Sequence, residues 1–242
     1  MKFLSTFLIG WLALAANLPS GESLLQKSLE STGGAVALGK IKNAVMIGTV
    51  DMTGHNLSGP MAVYQSGEKS YTVIELAGIG KIEEGFDGTV AWEMSALQGA
   101  RIKDGDERAA VKRASKITLL GSWRDYYKSA RTVASDDVNG KPAWKVELMP
   151  KEGSKPEYFY FDKQSGLLAR VSMVVPTALG DIPADIAMSD YRVLDGVQTP
   201  YVMTQKAMSQ VLEMHFDKIT YNAEIAPDRF DLPSDVKALN KK

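Results

Sequence analysis

The chain contains two histidines, His55 and His215, and no cysteine, so a transition-metal site would have to recruit carboxylates as well. His55 lies in the turn cluster Gly54–Asn56, and His215 lies on the polar side of an alternating strand. Both side chains are expected to be solvated, and no zinc-ligand spacing surrounds them. We therefore predict no metal site and no cofactor.

The sequence also lacks a recognisable nucleophile or phosphate motif. It has no Gly-x-Ser-x-Gly elbow, and Gly78-Ile79-Gly80 is not followed by a helix or a Lys-Ser pair. Two carboxylate pairs, Glu83-Glu84 and Asp136-Asp137, are adjacent in predicted strands, so their members point to opposite faces. We predict no catalytic residue and no enzyme. A secreted hydrolase whose carboxylates meet only in the folded chain is the alternative.

The positive signal is apolar and flexible. Methionine occurs 11 times, and its side chain adapts to apolar partners. In the last long strand, Leu212, Met214 and Phe216 alternate with polar residues, which makes one side of that strand apolar. Filling gaps in an ordinary core is the alternative role for methionine. We predict an apolar ligand cavity lined by six residues, which are Trp92, Trp123, Met173, Leu212, Met214 and Phe216.

The elements that would position these side chains are mostly strands. Asp87-Gly88 predicts a two-residue type I′ hairpin turn, in which Phe86 would face Thr89. Asn139-Gly140 and Asp195-Gly196 predict two further hairpins. Turn signals recur about every 8–12 residues, which is typical of a β-barrel or β-sandwich. Apolar residues on both faces of the Asp87 hairpin favour a curved sheet that is covered on its outside and lined with apolar side chains on its inside.

Four segments follow from these patterns. We predict a signal peptide at 1–15, an N-terminal helical segment at 16–41, a β domain at 42–233 and a flexible tail at 234–242. Helical spacing of Ala110, Ala114 and Ile117 predicts an insertion at about 106–129 that covers or plugs the sheet.

The N-terminus has the pattern of a secretory signal peptide. A lysine precedes the uncharged run Phe3–Leu14, and Ala13-Leu14-Ala15 is a small-x-small cleavage pattern, so the mature chain is expected to begin near Ala16. Without cysteine, the exported chain can carry neither a disulfide nor a cysteine-linked lipid anchor. These features predict a monomer in the periplasm, with no transmembrane span in the mature chain.

Composition excludes one further class. The formal net charge is -1, and hydrophobic and charged residues make up 45% and 24% of the chain, as in an ordinary globular protein. The aromatic residues do not interleave with a basic patch, which argues against nucleic-acid binding.

A set of short motifs, taken together, resembles the outer-membrane lipoprotein-sorting group with the LolA/LolB-like fold. The motifs are Thr32-Gly33-Gly34 with Leu38-Gly39-Lys40-Ile41, Gly85-Phe86-Asp87-Gly88 with Trp92, Tyr160-Phe161-Asp162 with Gly166-Leu167-Leu168, Ser189-Asp190-Tyr191-Arg192 with Asp195-Gly196-Val197 and Pro200, and Phe230 with Pro233. The resemblance implies a mainly β fold, in which a strongly curved antiparallel sheet forms an open, unclosed barrel with helices covering its mouth. It also implies an apolar cavity for acyl chains.

The leading hypothesis is therefore a periplasmic carrier or chaperone that shields lipid or lipoprotein acyl chains, with membrane-bound donor and acceptor proteins as further partners. A protein-binding envelope assembly factor that uses the open sheet edge is another alternative, beside the hydrolase.

Overall fold

The computed structural model describes residues 18–177 and 180–240, and within them the chain is mainly β. The predicted signal peptide at 1–15 lies outside these residues. The strands are β1 Asn43–Thr53, β2 Leu57–Ser66, β3 Lys69–Leu76, β4 Gly80–Phe86, β5 Ala91–Ser95, β6 Gly99–Lys103, β7 Tyr127–Val138, β8 Lys141–Pro150, β9 Glu157–Asp162, β10 Leu168–Thr177, β11 Gly180–Leu194, β12 Val197–Ala207 and β13 Gln210–Tyr221. The helices are α1 Gly21–Thr32, α2 Gly34–Gly39, α3 Gly105–Ala114, α4 Trp123–Tyr126 and α5 Ser234–Leu239, with a 3-10 turn at Leu119–Ser122.

Across the described residues, the strands form one antiparallel sheet of 13 strands in the order β6-β5-β4-β3-β2-β1-β13-β12-β11-β10-β9-β8-β7. The pairing of β1 with β13 joins the two halves of the sheet. The edge strands β6 and β7 are not paired with each other, so the sheet does not close. This confirms the predicted mainly β fold with an open, curved antiparallel sheet.

Side chains of directly opposite residues on neighbouring antiparallel strands share a face, so the register defines two faces. Val50 pairs with Met214, and both lie on what we call the inner face. The register carries this face through β12, β11, β10 and β9 to Val146 of β8. There Leu25 of α1 and Trp123 of α4 pack against the sheet in one core cluster with Val146.

The segment between the edge strands β6 and β7 contains α3, the 3-10 turn and α4. Val111 of α3 packs on Phe86 and Ala91, which also lie on the inner face. The helices at 105–126 therefore cover the inner face between the two unpaired edges, within the stretch where the sequence predicts a helical insertion.

Helix α1 begins and ends where its sequence dictates. The Ser20 hydroxyl accepts a hydrogen bond from the Ser23 N–H at 3.1 Å, which caps the first turn. Gly33, with φ of +135°, ends the helix. Between these ends Leu24 and Leu25 are buried, so the helix docks through one apolar side.

Two glycines lie where neighbouring strands approach each other closely. A Cβ on Gly59 would lie 1.8 Å from the Glu75 carbonyl oxygen, and a Cβ on Gly48 would lie 1.9 Å from the His215 carbonyl oxygen. Backbone from a neighbouring strand occupies the space that a side chain would need, so only glycine allows the strands to approach this closely.

The hairpins at Asn139-Gly140 and Asp195-Gly196 have positive φ at both turn residues, and the flanking residues pair as predicted. The predicted pairing of Phe86 with Thr89 is wrong, because Phe86 pairs with Ala91 across a four-residue loop. The Asp87 carboxylate accepts hydrogen bonds from the Thr89 and Val90 N–H groups at 2.8 and 2.7 Å. These bonds stabilise a longer turn than the Asp-Gly rule indicates.

The end of the chain also differs from expectation. Where the sequence predicts a flexible tail from residue 234, the structure has the helix α5. Val236 of this helix is fully buried, in a cluster with Trp92 and Tyr71. These two residues lie on the side of the sheet opposite the inner face, which we call the outer face. The helix α5 forms in this segment because it covers apolar side chains there.

Candidate ligand-binding face

A continuous apolar surface runs across the inner face where the two halves of the sheet meet. Met188, Met203, Met214 and Val50 are successive cross-strand partners on β11, β12, β13 and β1. Their register places side chains from four strands side by side. Three of the four are methionines, whose flexible side chains fit irregular apolar ligands.

This surface is filled unevenly. Its buried members are Val50, Met61, Leu76, Phe216 and Ile219. The partly buried apolar side chains packed around them include Met46, Met52, Val63, Met203, Leu212 and Met214. In β13, Leu212 and Met214 are half-buried, whereas Phe216 and Ile219 are buried, so the face opens towards the β12–β13 turn. Half-buried apolar side chains next to a packed floor are a surface that a ligand could cover.

The charged residues next to Met203 and Met214 on β1, β12 and β13 lie on the opposite side of the sheet. Asp51, Lys206, Glu213 and His215 alternate onto the outer face, and Glu213 pairs with His215 there at 2.8 Å. Further along the inner face, the Tyr221 hydroxyl and the Thr199 hydroxyl are hydrogen bonded at 2.8 Å. Burial raises the pKa of Tyr221 above its usual value, so this phenol stays neutral. The inner face is therefore apolar and uncharged around Met203 and Met214. Further along it, Arg192 stacks on Tyr201, 4.3 Å from the ring centroid, and forms an ion pair with Asp190.

Five charged side chains border this surface at the β4–β6 end of the inner face. Arg101 binds Glu93 and Glu107, and Lys103 binds Glu84 and Glu93. Burial alone would raise the pKa of Glu93, but hydrogen bonds from Arg101 and Lys103 outweigh it and lower that pKa. These groups satisfy one another, so the cluster holds α3 against the sheet edge through Glu107.

A second polar group fixes α3 to the other half of the sheet. The Arg113 guanidinium donates to Glu157 Oε1 at 2.8 and 2.6 Å, and the Tyr127 hydroxyl donates to the other carboxylate oxygen. Burial and the Glu157 charge raise the pKa of Tyr127. Because Arg113 and Glu157 are both buried, the pair orients the helix over the inner face.

Two of the six predicted cavity residues lie in the core between the helices and the sheet. Trp123 of α4 and Met173 of β10 pack in the cluster that also holds Leu24 and Leu25 of α1. A groove of about 540 Å³ between α1 and α4 is lined in part by Leu25 and Trp123. These residues share the inner face with Met214 but belong to its helix-covered part.

Leu212, Met214 and Phe216 lie together in the apolar cluster at the centre of the inner face. The structure does not bring Trp92 to this group. Trp92 pairs with Gly85 and lies on the outer face, where it is 2% exposed beneath α5. Strand alternation decides which side chains share a side, but not which side becomes the inner face.

Several inner-face residues were not among the predicted site residues. Met46, Val50 and Met52 alternate on β1 and line the same surface as Met214. Their alternation with Ile47, Thr49 and Asp51 is the signal that could have identified them.

No metal-binding cluster is formed by the part of the chain that the structure describes. Within it, no three His, Asp or Glu side chains are placed to hold a metal ion. Glu83 binds the Tyr71 hydroxyl on the outer face, whereas Glu84 binds Lys103 on the inner face, as expected for adjacent strand residues. No described helix is long and apolar enough to cross a membrane.

Comparison with known proteins places the fold. No protein-family model matches the sequence, and no curated protein matches it. A DUF1329 family protein from Desulfovibrio piger superposes with a TM-score of 0.59 at 12% identity, covering 88% of this chain and 98% of that one. A LolA superfamily protein from Nitrosomonas europaea gives 0.58 at 11% identity, covering 89% and 99%.

A putative outer membrane lipoprotein-sorting protein domain from Vibrio parahaemolyticus gives a TM-score of 0.52 at 12% identity, covering 92% of this chain and 98% of that one. At such identities the likeness is one of fold. It confirms the LolA-like fold that the sequence motifs imply.

Proposed function

We propose that this protein is an exported, non-catalytic carrier that binds acyl chains of lipids or lipoproteins on the inner face of its sheet. The observation that carries the proposal is the uncharged inner surface around Met203, Leu212 and Met214, which is apolar yet only half-buried. The LolA-like fold and the name of the lipoprotein-sorting neighbour are in keeping with this role.

The affinity that such a surface can give an acyl chain is adequate for a carrier. Burying about ten methylenes at about 0.8 kcal/mol each contributes about 8 kcal/mol before ordering costs, which corresponds to roughly micromolar affinity. Such binding is tight enough for transport and weak enough for release to a membrane-bound acceptor.

The remaining parts of the proposal follow from the sequence. The segment 1–15 serves as a signal peptide, and the mature monomer acts in the periplasm between a donor and an acceptor. The helical segment at 16–41 packs on the β domain that spans 42–233, and the insertion at about 106–129 is part of that domain. N-terminal sequencing of envelope-purified protein should give a start near Ala16, and an intact Lys2 would contradict export with cleavage.

Met214→Glu tests the binding face. Met214 is half-buried at the open part of the inner face, so a carboxylate there keeps access to water and the fold should survive. An acyl chain laid over it would desolvate the charge, so affinity for a fluorescent fatty-acid probe should fall by about tenfold or more. Probe titration and thermal unfolding are measured together.

Thr49→Glu is the matched control, because it adds the same charge to the exposed outer face of the neighbouring strand β1. This variant should bind the probe like the wild type. A wild-type protein that binds no probe would overturn the carrier role, as would equal binding by Met214→Glu and Thr49→Glu.

A further inference from the structure

One polar side chain interrupts a row of apolar residues on the inner face. The row crosses seven strands, from β9 to β2, and each member pairs with the next. Its members are Phe159, Val171, Ile186, Gln205, Leu212, Met52 and Leu57. Gln205 is the polar member of this row, with Ile186 and Leu212 directly beside it.

The Gln205 carboxamide has no partner within residues 18–177 and 180–240. No side-chain hydrogen bond or ion pair of Gln205 occurs there, and the side chain is half-buried. A carboxamide offers two donors and one acceptor oxygen. On the same strand, the Thr199 hydroxyl is hydrogen bonded to the Tyr221 hydroxyl, and Lys206 lies on the outer face. Gln205 thus presents free hydrogen-bonding groups to the surface where a ligand would lie.

The position of Gln205 along β12 gives the ligand a direction. Gln205 lies two residues from the end of the strand at Ala207, where the inner face is open. In the other direction Met203 and Tyr201 are half-buried and Thr199 is buried, and the Arg192 guanidinium lies over the Tyr201 ring at 4.3 Å from its centroid. From Gln205 to Thr199 the strand spans about 20 Å at about 3.3 Å per residue. An acyl chain that lies along β12 would have its polar end at Gln205, and its tail would extend towards Phe216.

We infer that Gln205 is a specificity residue, whose side-chain N–H donates a hydrogen bond to the carbonyl oxygen of an ester- or amide-linked acyl chain. The inference rests on the proposed carrier function and adds the chemical class of the cargo. A pure hydrocarbon would leave the carboxamide unsatisfied on binding, which costs affinity. An acyl ester or acyl amide satisfies it, so the face selects linked acyl chains over alkanes.

The test compares Gln205→Leu with the matched variant Gln198→Leu. Gln198 is on the same strand but on the outer face, where it pairs with Val193. Displacement of a fluorescent fatty-acid probe is measured with methyl laurate, N-methyl lauramide and an alkane of matched length. Leucine fits between Ile186 and Leu212, so Gln205→Leu should fold, and thermal unfolding checks this.

Gln205→Leu should bind the ester and the amide about 3- to 10-fold more weakly, which is the worth of one net hydrogen bond, and should bind the alkane at least as tightly as the wild type. Gln198→Leu should match the wild type with all three compounds. A loss with the ester alone assigns the cargo to glyceride-type esters, and a loss with the amide alone assigns it to N-acyl groups.

An unchanged ester and amide affinity in Gln205→Leu, or an equal loss for all three compounds, would overturn the role of Gln205. Both results leave the carrier function standing, provided that the wild type displaces the probe. A wild type that binds neither the probe nor the three compounds would overturn the carrier function and this inference together.

Discussion

Gly88 has a φ of +102°, a region that side chains with a Cβ rarely adopt. Because valine is β-branched, Gly88→Val should be strained at this position and should lower the free energy of unfolding by about 1–2 kcal/mol. The adjacent exposed residue offers a control, since Thr89→Val places the same β-branched side chain at a position without a positive φ. Denaturant titration gives both values, and equal midpoints for the two variants would show that the backbone at Gly88 is not constrained.

Residue patterns predicted which side chains share one side of a strand, but not always whether that side belongs to the inner or the outer face of the sheet. The alternation of Leu212, Met214 and Phe216 correctly placed them together, because period-two alternation depends only on the strand. Trp92, which was expected to line the same cavity, lies on the outer face instead. Its strand alternates as predicted, but on the outer face Trp92 packs with Val236 of α5, which lies more than 140 residues later in the sequence.

Among the elements, the C-terminal segment shows how burial can order a stretch with weak local signals. Residues 234–239 are too few to display a helical period, so the sequence gives little indication of a helix. The helix forms against the outer face, where Phe230, Leu232 and Val236 pack around Trp92 and Tyr71. The Arg229 guanidinium also stacks on Tyr64, 4.6 Å from the ring centroid. Contacts with β3, β5 and β6 hold the segment in place.

Val236→Ala measures how much this docked segment stabilises the protein. Val236 is 0% exposed, so loss of two methyl groups should lower the free energy of unfolding by about 1–3 kcal/mol. Leu239→Ala in the same helix is the control, because Leu239 is 41% exposed and should change stability by less than about 1 kcal/mol. Chemical denaturation distinguishes the two. A frayed C-terminus would leave both variants as stable as the wild type.

For the whole molecule, local signals identify the hairpins but not the joining of the halves. Asn139-Gly140 and Asp195-Gly196 each fix a pair of neighbouring strands through the backbone of the turn. The pairing of β1 with β13 brings together residues such as Met52 and Leu212, which no turn connects. Only the motif resemblance to LolA-like proteins implied an open sheet that continues across this junction.

The junction has a consequence for unfolding. Chains of this length often unfold through intermediates, but here one hydrogen-bonded sheet runs from β6 to β7 through the β1–β13 pair. We therefore expect both halves to unfold together. Two double variants of the chain that starts at Ala16 each retain one tryptophan, which reports on one half of the sheet. Trp123→Phe with Trp144→Phe retains Trp92 under α5. Trp92→Phe with Trp144→Phe retains Trp123 under α1. In each variant, the midpoint from tryptophan fluorescence should coincide with the midpoint from far-UV circular dichroism, as in a two-state transition. A fluorescence midpoint that departs from the dichroism midpoint in either variant would show that the half containing that tryptophan unfolds separately.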